Sequence, residues 1–276
     1  MKMEIRIRTE FDPESRINLM LGDVNDMLDK IPDNSVDLIL TDPPYMISQD
    51  GGKITRNNMR FGAYKRSMDI SLDYGEWDHF ETIEDYIAFT DNWVTKSFSK
   101  LKEGGWIFIF FDKMKMHILQ EIADRIGITP KLIYTWCKTN PAPHFRKMNF
   151  VSATELIWCG EKGNKKMKNY QPQREMYNYF LSPNKTAYGE TDHPNEKPVE
   201  LLKKLILPTT LKDDVVLDPF MGSGSTGVAA IMLDRKFVGI EKEQHYVEQA
   251  ISRIAKHTGI HKFDLFDHDL SEQVLE

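Results

Sequence analysis

The stretch that most constrains this chain is VLDPFMGSGSTGVAA, residues 216–230. An apolar run ends in an acid and a proline. A glycine-rich turn follows, and small and apolar residues then open a helix. Strand, tight turn and helix in that order are half of a βαβ unit, and such units assemble into parallel sheets through right-handed crossovers. The spacing Gly222-x-Gly224-x-x-Gly227 lets a ligand approach the backbone closely. KFVGIE (236–241) supplies the next strand, and Glu241 lies near the position of a ribose-binding acid. A Walker phosphate loop is excluded, because no Gly-Lys-Ser/Thr follows. Alone, the turn admits a nicotinamide- or flavin-dependent oxidoreductase, an enzyme of another nucleoside, or a glycine turn with no ligand.

The rest of the chain repeats the alternation. Residues 17–21 read as a strand ending at Gly22-Asp23, and 24–30 as a short helix with Met27 and Leu28 inward. SVDLIL (35–40) has the apolar run of a buried parallel strand. A helix over 81–100 gathers Ile83, Tyr86, Ile87, Trp93, Val94 and Phe98 on one broad face, and Gly104-Gly105 ends that unit. WIFIFF (106–111) is a strand, and a helix over 113–126 stops at Gly127. LIYTWC (132–137) and ELIWCG (155–160) read as strands joined by KTNPAPHFRKMNFVSAT. Pro198 opens a helix as its first residue, with Val199, Leu202, Leu205 and Ile206 inward. Helices over 225–233 and 243–256 complete the pattern. This is an α/β chain with a mostly parallel sheet, and residues 1–260 fit one domain. Residues 46–76 form a long polar segment that reads as a mobile, functional loop. Residues 161–190 are rich in lysine and tyrosine, and 261–276 read as a frayed acidic tail.

A second strand end carries chemistry. SVDLIL runs into Thr41-Asp42-Pro43-Pro44-Tyr45. A plain turn explains this stretch taken alone, since Pro-Pro stops a strand. Yet ligands of open α/β sheets bind beyond the carboxyl ends of the strands. If its strand neighbours the one ending in Asp218-Pro219-Phe220, both acids face one crevice. Asp218 there could accept hydrogen bonds from an ammonium group, whereas it would repel a pyrophosphate. That favours a zwitterionic nucleoside and a planar substrate.

Composition narrows the setting. The net charge is −6, so binding to nucleic acid would need a local basic face. The two cysteines, Cys137 and Cys159, imply no disulfide framework and read as reduced core residues. The N-terminus has no apolar signal core and no run is long enough to span a bilayer, so a cytoplasmic protein without a membrane partner is expected.

TDPPY, TNPAP, HPNEKP and VLDPFMGSGSTG, in that order, resemble the β-class, permuted DNA amino-methyltransferases of bacterial and phage restriction-modification systems. The likeness runs from about Ile17 to Ile254 and is closest to adenine-N6 enzymes. It implies a Rossmann-like class I methyltransferase sheet, circularly permuted, with an antiparallel edge hairpin and a target-recognition insertion at 161–190. It implies S-adenosyl-L-methionine as cofactor, lined by Asp218, Pro219, Phe220, Gly222, Ser223, Gly224, Ser225 and Thr226. Glu241 would bind the ribose, Lys197 would lie near the methionine end, and Asp23 would close the adenine side. Asn195 and Glu196 depart from the commoner Thr and Gln, and Ser225 stands where Thr is usual. No metal is implied.

The resemblance gives Asp42, Pro43, Pro44 and Tyr45 the chemistry. An exocyclic amino nitrogen is a poor nucleophile because its lone pair is delocalised into the ring. The Asp42 carboxylate and the Pro43 carbonyl, aimed at the amino hydrogens, would draw the nitrogen toward tetrahedral geometry. Tyr45 would stack on a flipped base. Asp in this motif is commoner in adenine-N6 enzymes and Ser in cytosine-N4 enzymes, so adenine leads and cytosine is the alternative. TNPAP resembles enzymes of GATC systems, and TNPxPxF those of GANTC systems. DNA, double- or single-stranded, would meet Lys53, Arg56 and Arg60, then His144, Phe145, Arg146 and Lys147, then Lys165, Lys166 and Lys168. A cognate restriction endonuclease and a homodimer are the further partners implied. A nicotinamide-dependent oxidoreductase and a non-catalytic DNA-binding module are the readings from other classes.

Overall fold

The computed structural model describes residues 5–46, 53–55, 69–71, 80–141, 150–183, 197–259 and 263–264. In chain order the strands and helices are β1 (Ile5–Arg8), β2 (Ile17–Leu21), α1 (Val24–Asp29), β3 (Val36–Thr41), β4 (Lys53–Thr55), β5 (Asp69–Ser71), α2 (Ile83–Lys100), β6 (Leu101–Phe111) and α3 (Met116–Ile126). Then come β7 (Ile128–Lys138), β8 (Thr154–Lys162), β9 (Tyr179–Ser182), α4 (Val199–Thr209), β10 (Val215–Asp218), α5 (Ser225–Met232), β11 (Lys236–Glu241), α6 (Gln244–Thr258) and β12 (Phe263–Asp264). The chain divides into two compact units, one of Met1–Pro43 with Asp91–Glu276 and one of Pro44–Thr90.

Among the described residues, the first unit holds a ten-stranded sheet in the order β12-β1-β2-β11-β10-β3-β6-β8-β7-β9. Every pairing from β12 to β6 is parallel. β8 runs antiparallel to both β6 and β7. This is the Rossmann-like sheet expected, and its permutation is visible in the order: β10 and β11 come late in the chain yet lie between β2 and β3. The chain leaves β3 toward β6 on one side and leaves β10 toward β11 on the other. The direction of winding therefore reverses between β3 and β10, the switch point at which such sheets bind ligands. Val216 pairs with Leu38 and Leu217 with Ile39, so the strands ending in Asp218 and leading into Asp42 are neighbours, as expected. All of β3 is buried, which explains its apolar residues, and its one acid, Asp37, is paired with Lys102 and Lys168.

Several local expectations are corrected. Gly104-Gly105 do not end a unit, because α2 runs directly into β6 and the glycines sit inside that strand. There Val36 to Leu38 of β3 face Leu101 to Trp106 of β6, so the extra residues bulge out. Gly104 accordingly has φ +80°. Pro198 caps α4 in an extended conformation and its carbonyl accepts the Leu201 and Leu202 amides, so the helix begins at Val199. Ile83 and Ile87 are exposed although Tyr86, Trp93 and Val94 are buried. Cys159 is buried, but Cys137 is only half-buried. The antiparallel hairpin β7–β8 is present, yet among the described residues the edge is β9, which pairs parallel to β7. β9 comes from the lysine- and tyrosine-rich stretch, and β1 and β12 have no counterpart in the periodicity. No described helix is long and apolar enough to cross a membrane.

In the second unit β4 and β5 form an antiparallel ribbon. Phe80 packs edge-on against Tyr86, ring centroids 5.1 Å apart.

Candidate active site

Asp218 closes β10 and is buried. Its Oδ1 accepts the Thr41 hydroxyl at 2.7 Å and the Phe220 amide at 3.1 Å. The Thr226 hydroxyl also donates to it. Burial pushes its carboxyl up to about 6, helped by the charge of Asp42 and opposed by these three donors. The end of β3 and the end of β10 are thus tied through Thr41, a residue that sequence reasoning passed over although it adjoins the Asp42 motif.

The glycine turn is braced at both ends by carboxylates. Gly224 N–H donates to the Met221 carbonyl at 2.9 Å, closing the turn. Gly222 has φ +49° and Gly224 φ +79°, a region that side chains resist. Gly222 N–H donates to Glu241 Oε2 at 3.0 Å, while the Lys242 and Glu243 amides donate to Oε1. Burial raises the Glu241 carboxyl above its ordinary value, against these three amides. The Gly22 N–H reaches the Glu241 carbonyl at 2.9 Å, so the ends of β2 and β11 lie side by side. Asp23, next in the chain, caps α1 and accepts the Asn25 amide at 2.9 Å. Beneath the turn, Arg253 of α6 donates to Ser225 Oγ at 2.7 Å. Phe220 meets the buried Trp93 edge-on, centroids 5.1 Å apart. Pro219, Ser223 and Thr226 are buried in the same turn. Neither Trp93 nor Arg253 carried a functional signal: Trp93 read only as a helix-face aromatic.

Asp42 and Pro43 follow β3. Asp42 Oδ2 lies 2.6 Å from Lys197 Nζ, and Glu155 Oε2 lies 3.2 Å from the same nitrogen. Lys197 is buried, with its ammonium 5.0 Å from the centre of the Phe110 ring. Burial works against that charge, but Asp42 and Glu155 outweigh it and hold Lys197 at about 12. Asp42, Lys197, Asp218, Glu241 and the glycine turn all come from carboxyl ends of adjacent strands or from segments beside them. In the second unit, the Tyr86 hydroxyl donates to the Pro44 carbonyl at 3.2 Å. Tyr45 follows, half-buried.

The basic residues divide. Arg56, Arg60, His144, Phe145, Arg146 and Lys147, and the side chain of Lys53, lie outside the described residues. Lys165 and Lys166 are exposed. Lys168 is paired with Asp37 at 2.7 Å and Asp214 at 2.8 Å.

Comparison with known proteins gives one answer. The model of a family of DNA methylases acting at N6 or N4 positions matches residues 36–252. The type II methyltransferase M2.MboI of Moraxella bovis is 30% identical over 281 aligned positions, covering 98% of this chain and 99% of that one. The type II methyltransferase M2.LlaDCHI of Lactococcus lactis subsp. cremoris is 31% identical over 263 positions, covering 89% of this chain and 91% of that one. Among solved structures, the M1.HpyAVI–SAM complex superposes with a TM-score of 0.66 at 25% identity, covering 86% of this chain and 98% of that one.

Proposed function

The chain belongs to the N6/N4 family of DNA methylases, and within that family we propose that it methylates N6 of adenine. It is a DNA methyltransferase, and its cofactor is S-adenosylmethionine (SAM). The residues present fit this cofactor. Two carboxylates at adjacent strand ends, Asp218 and Glu241, suit the ammonium and hydroxyl groups of a zwitterionic nucleoside. Asp218 is the wrong charge for a pyrophosphate, which weighs against a nicotinamide enzyme. Asp218, Phe220, Gly222, Ser223, Ser225 and Glu241 would hold it, with Asp23 at the adenine side. When bound, it supplies an electrophilic methyl group on a sulfonium.

The adenine reading rests on the resemblance, in which Asp heads this motif more often in adenine-N6 enzymes; the geometry of that acid carries the amino-transfer chemistry common to both bases. Asp42 sits 2.6 Å from a lysine held at about 12. A carboxylate so placed accepts and does not donate, which suits a target that presents amino hydrogens. Asp42 and the Pro43 carbonyl accept the two amino hydrogens and localise the nitrogen lone pair. Proline fixes φ, so that carbonyl needs little reorganisation. Tyr45 offers a face for the base, a contact of about 1–3 kcal/mol that offsets the cost of extruding it. Once the nitrogen carries the methyl group and a positive charge, its proton leaves toward Asp42.

The relatives are type II methyltransferases, so a restriction-modification setting with a cognate endonuclease is the context proposed. Homodimerisation is the oligomeric state to test. Lys165 and Lys166, with Lys53, Arg56, Arg60 and the 144–147 segment, are the proposed phosphate contacts.

Transfer of labelled methyl from SAM to unmethylated DNA, followed by nucleoside analysis, tests the reading. N6-methyladenine is the expected product. N4-methylcytosine would keep the mechanism and overturn the base assignment, and label on neither base would overturn both.

A further inference from the structure

We propose that Glu155 is a positioning residue for methyl transfer, setting where Lys197 stands and thereby how Asp42 is presented; this rests on the reading above. Glu155 is the second residue of β8, outside every motif noted in the sequence. Its Oε2 lies 3.2 Å from Lys197 Nζ and its Oε1 2.5 Å from Lys138 Nζ. Lys197 in turn lies 2.6 Å from Asp42. The result is a chain of alternating charge, Lys138, Glu155, Lys197, Asp42, running from the β7–β8 hairpin to the motif that does the chemistry.

The links are rigid at one end. Cys137 pairs with Thr154 across the hairpin, and the Lys138 amide donates to the Ala153 carbonyl at 2.7 Å. Lys138 and Glu155 therefore sit at the mouth of the hairpin on fixed backbone. Lys197 is fenced by Glu155, Asp42 and the Phe110 ring, and its side chain is only 8% exposed. Burial raises the Glu155 carboxyl, but the charges of Lys197 and Lys138 overcome it and hold it below the ordinary range.

An ion chain of this kind, buried at Lys197 and half-buried at its other members, adds little stability, since desolvation and solvent screening offset most of the attraction. Its distinctive product is geometry. With Glu155 present, the Lys197 ammonium is shared between two carboxylates. Without it, Lys197 and Lys138 face each other with no anion between them, and Lys197 collapses onto Asp42. That would bind up the acceptor on which the amino group depends. SAM contacts at Asp218 and Glu241 would be untouched.

The test is a double-variant cycle of Glu155→Gln, Lys197→Gln and the pair, read by single-turnover methyl transfer at saturating labelled SAM. SAM affinity and melting temperature are measured on each variant. Glu155→Gln is expected to slow transfer roughly 10- to 100-fold, the scale of a misplaced reacting group, with SAM affinity within about 2-fold. The double variant is expected to be no slower than Lys197→Gln alone, because Glu155 acts through that lysine. A wild-type rate in Glu155→Gln, a loss seen equally in SAM affinity, or losses that multiply in the double variant would overturn the proposal. A lowered melting temperature does not blur this, since damage to the fold multiplies with the Lys197 loss. An active wild type beside an unimpaired Glu155→Gln overturns this inference alone. A wild type that transfers no methyl group overturns the parent reading together with it.

Discussion

The Lys197 ammonium stands 2.6 Å from the Asp42 carboxylate, joining the HPNEKP stretch to the Asp-Pro-Pro-Tyr stretch. Neither segment says in sequence that it meets the other. The sheet brings them together: β3 delivers Asp42 at the switch point, and Lys197 enters just before α4. A lysine in this place fixes the orientation of the acid, a condition for the proposed hydrogen-bond acceptor of the amino group.

Asp42→Asn is therefore expected to separate binding from chemistry. The amide keeps the shape and can leave its oxygen accepting from Lys197, which turns the other acceptor into an NH2 donor facing the amino hydrogens of the base. Methyl transfer should fall on the order of 100- to 1,000-fold, the usual loss of one preorganised electrostatic contact. SAM affinity, measured by calorimetry, should stay within a few-fold because Asp218 and Glu241 are unchanged. A comparable loss of SAM affinity would show that Asp42 serves the cofactor.

What could be read in the sequence and what could not follow from range. The two strand ends, the glycine turn and the helix after it are local patterns, and each was legible: Asp218 ends one strand and Asp42 follows the end of its neighbour. Gly104-Gly105 misled because glycine pairs look alike at a terminus and at a bulge, and only the β3 register tells them apart. Glu155 was silent because a lone acid at a strand start has no meaning until Lys138 and Lys197 arrive beside it. Trp93 and Tyr86 fitted the apolar face of α2, which hid the contacts to Phe220 and to the Pro44 carbonyl. β1 and β12 are too short for periodicity to register.

Asp218 makes stability and cofactor binding respond to pH in opposite senses. Its carboxyl rises from 3.8 to about 6 on folding. A raised value means that its contribution to stability is complete below pH 4 and is lost as pH climbs through 6. The shift corresponds to roughly 3 kcal/mol. Asp218→Asn, which cannot ionise, should melt higher than the wild type at pH 8 and lose that advantage near pH 4. SAM affinity of the wild type should instead weaken as pH falls below 6, since the cationic ligand favours the ionised acid. The variant should bind weakly at every pH. Parallel melting curves for both proteins across this window would refute the raised carboxyl.

Gly224 tests how tightly the turn is built. Its φ is +79°, and an added Cβ would lie 2.8 Å from Ala250 Cβ on α6. Gly224→Ala should destabilise the fold by about 1–3 kcal/mol through backbone strain and overpacking together. Adding Ala250→Gly removes the clash but not the strain, so denaturant unfolding should show partial recovery. Full recovery would mean that backbone conformation costs nothing here, and none that the helix contact is irrelevant.

Lys168 separates a structural lysine from one that meets phosphate. It lies between Asp37 and Asp214, at 2.7 and 2.8 Å. Burial opposes its charge, yet the two carboxylates raise its pKa above the ordinary lysine value. Asp37 is only 3% exposed and also takes Lys102 at 2.8 Å. Lys168→Met would leave Asp37 to Lys102 and the Val215 amide, costing about 1–3 kcal/mol in unfolding free energy. The salt dependence of DNA affinity should not change. Lys165→Ala with Lys166→Ala should do the reverse, leaving stability alone and reducing the salt slope by roughly 2, about one for each phosphate no longer neutralised. A flattened slope in Lys168→Met, with stability intact, would show that DNA draws this lysine away from its two carboxylates.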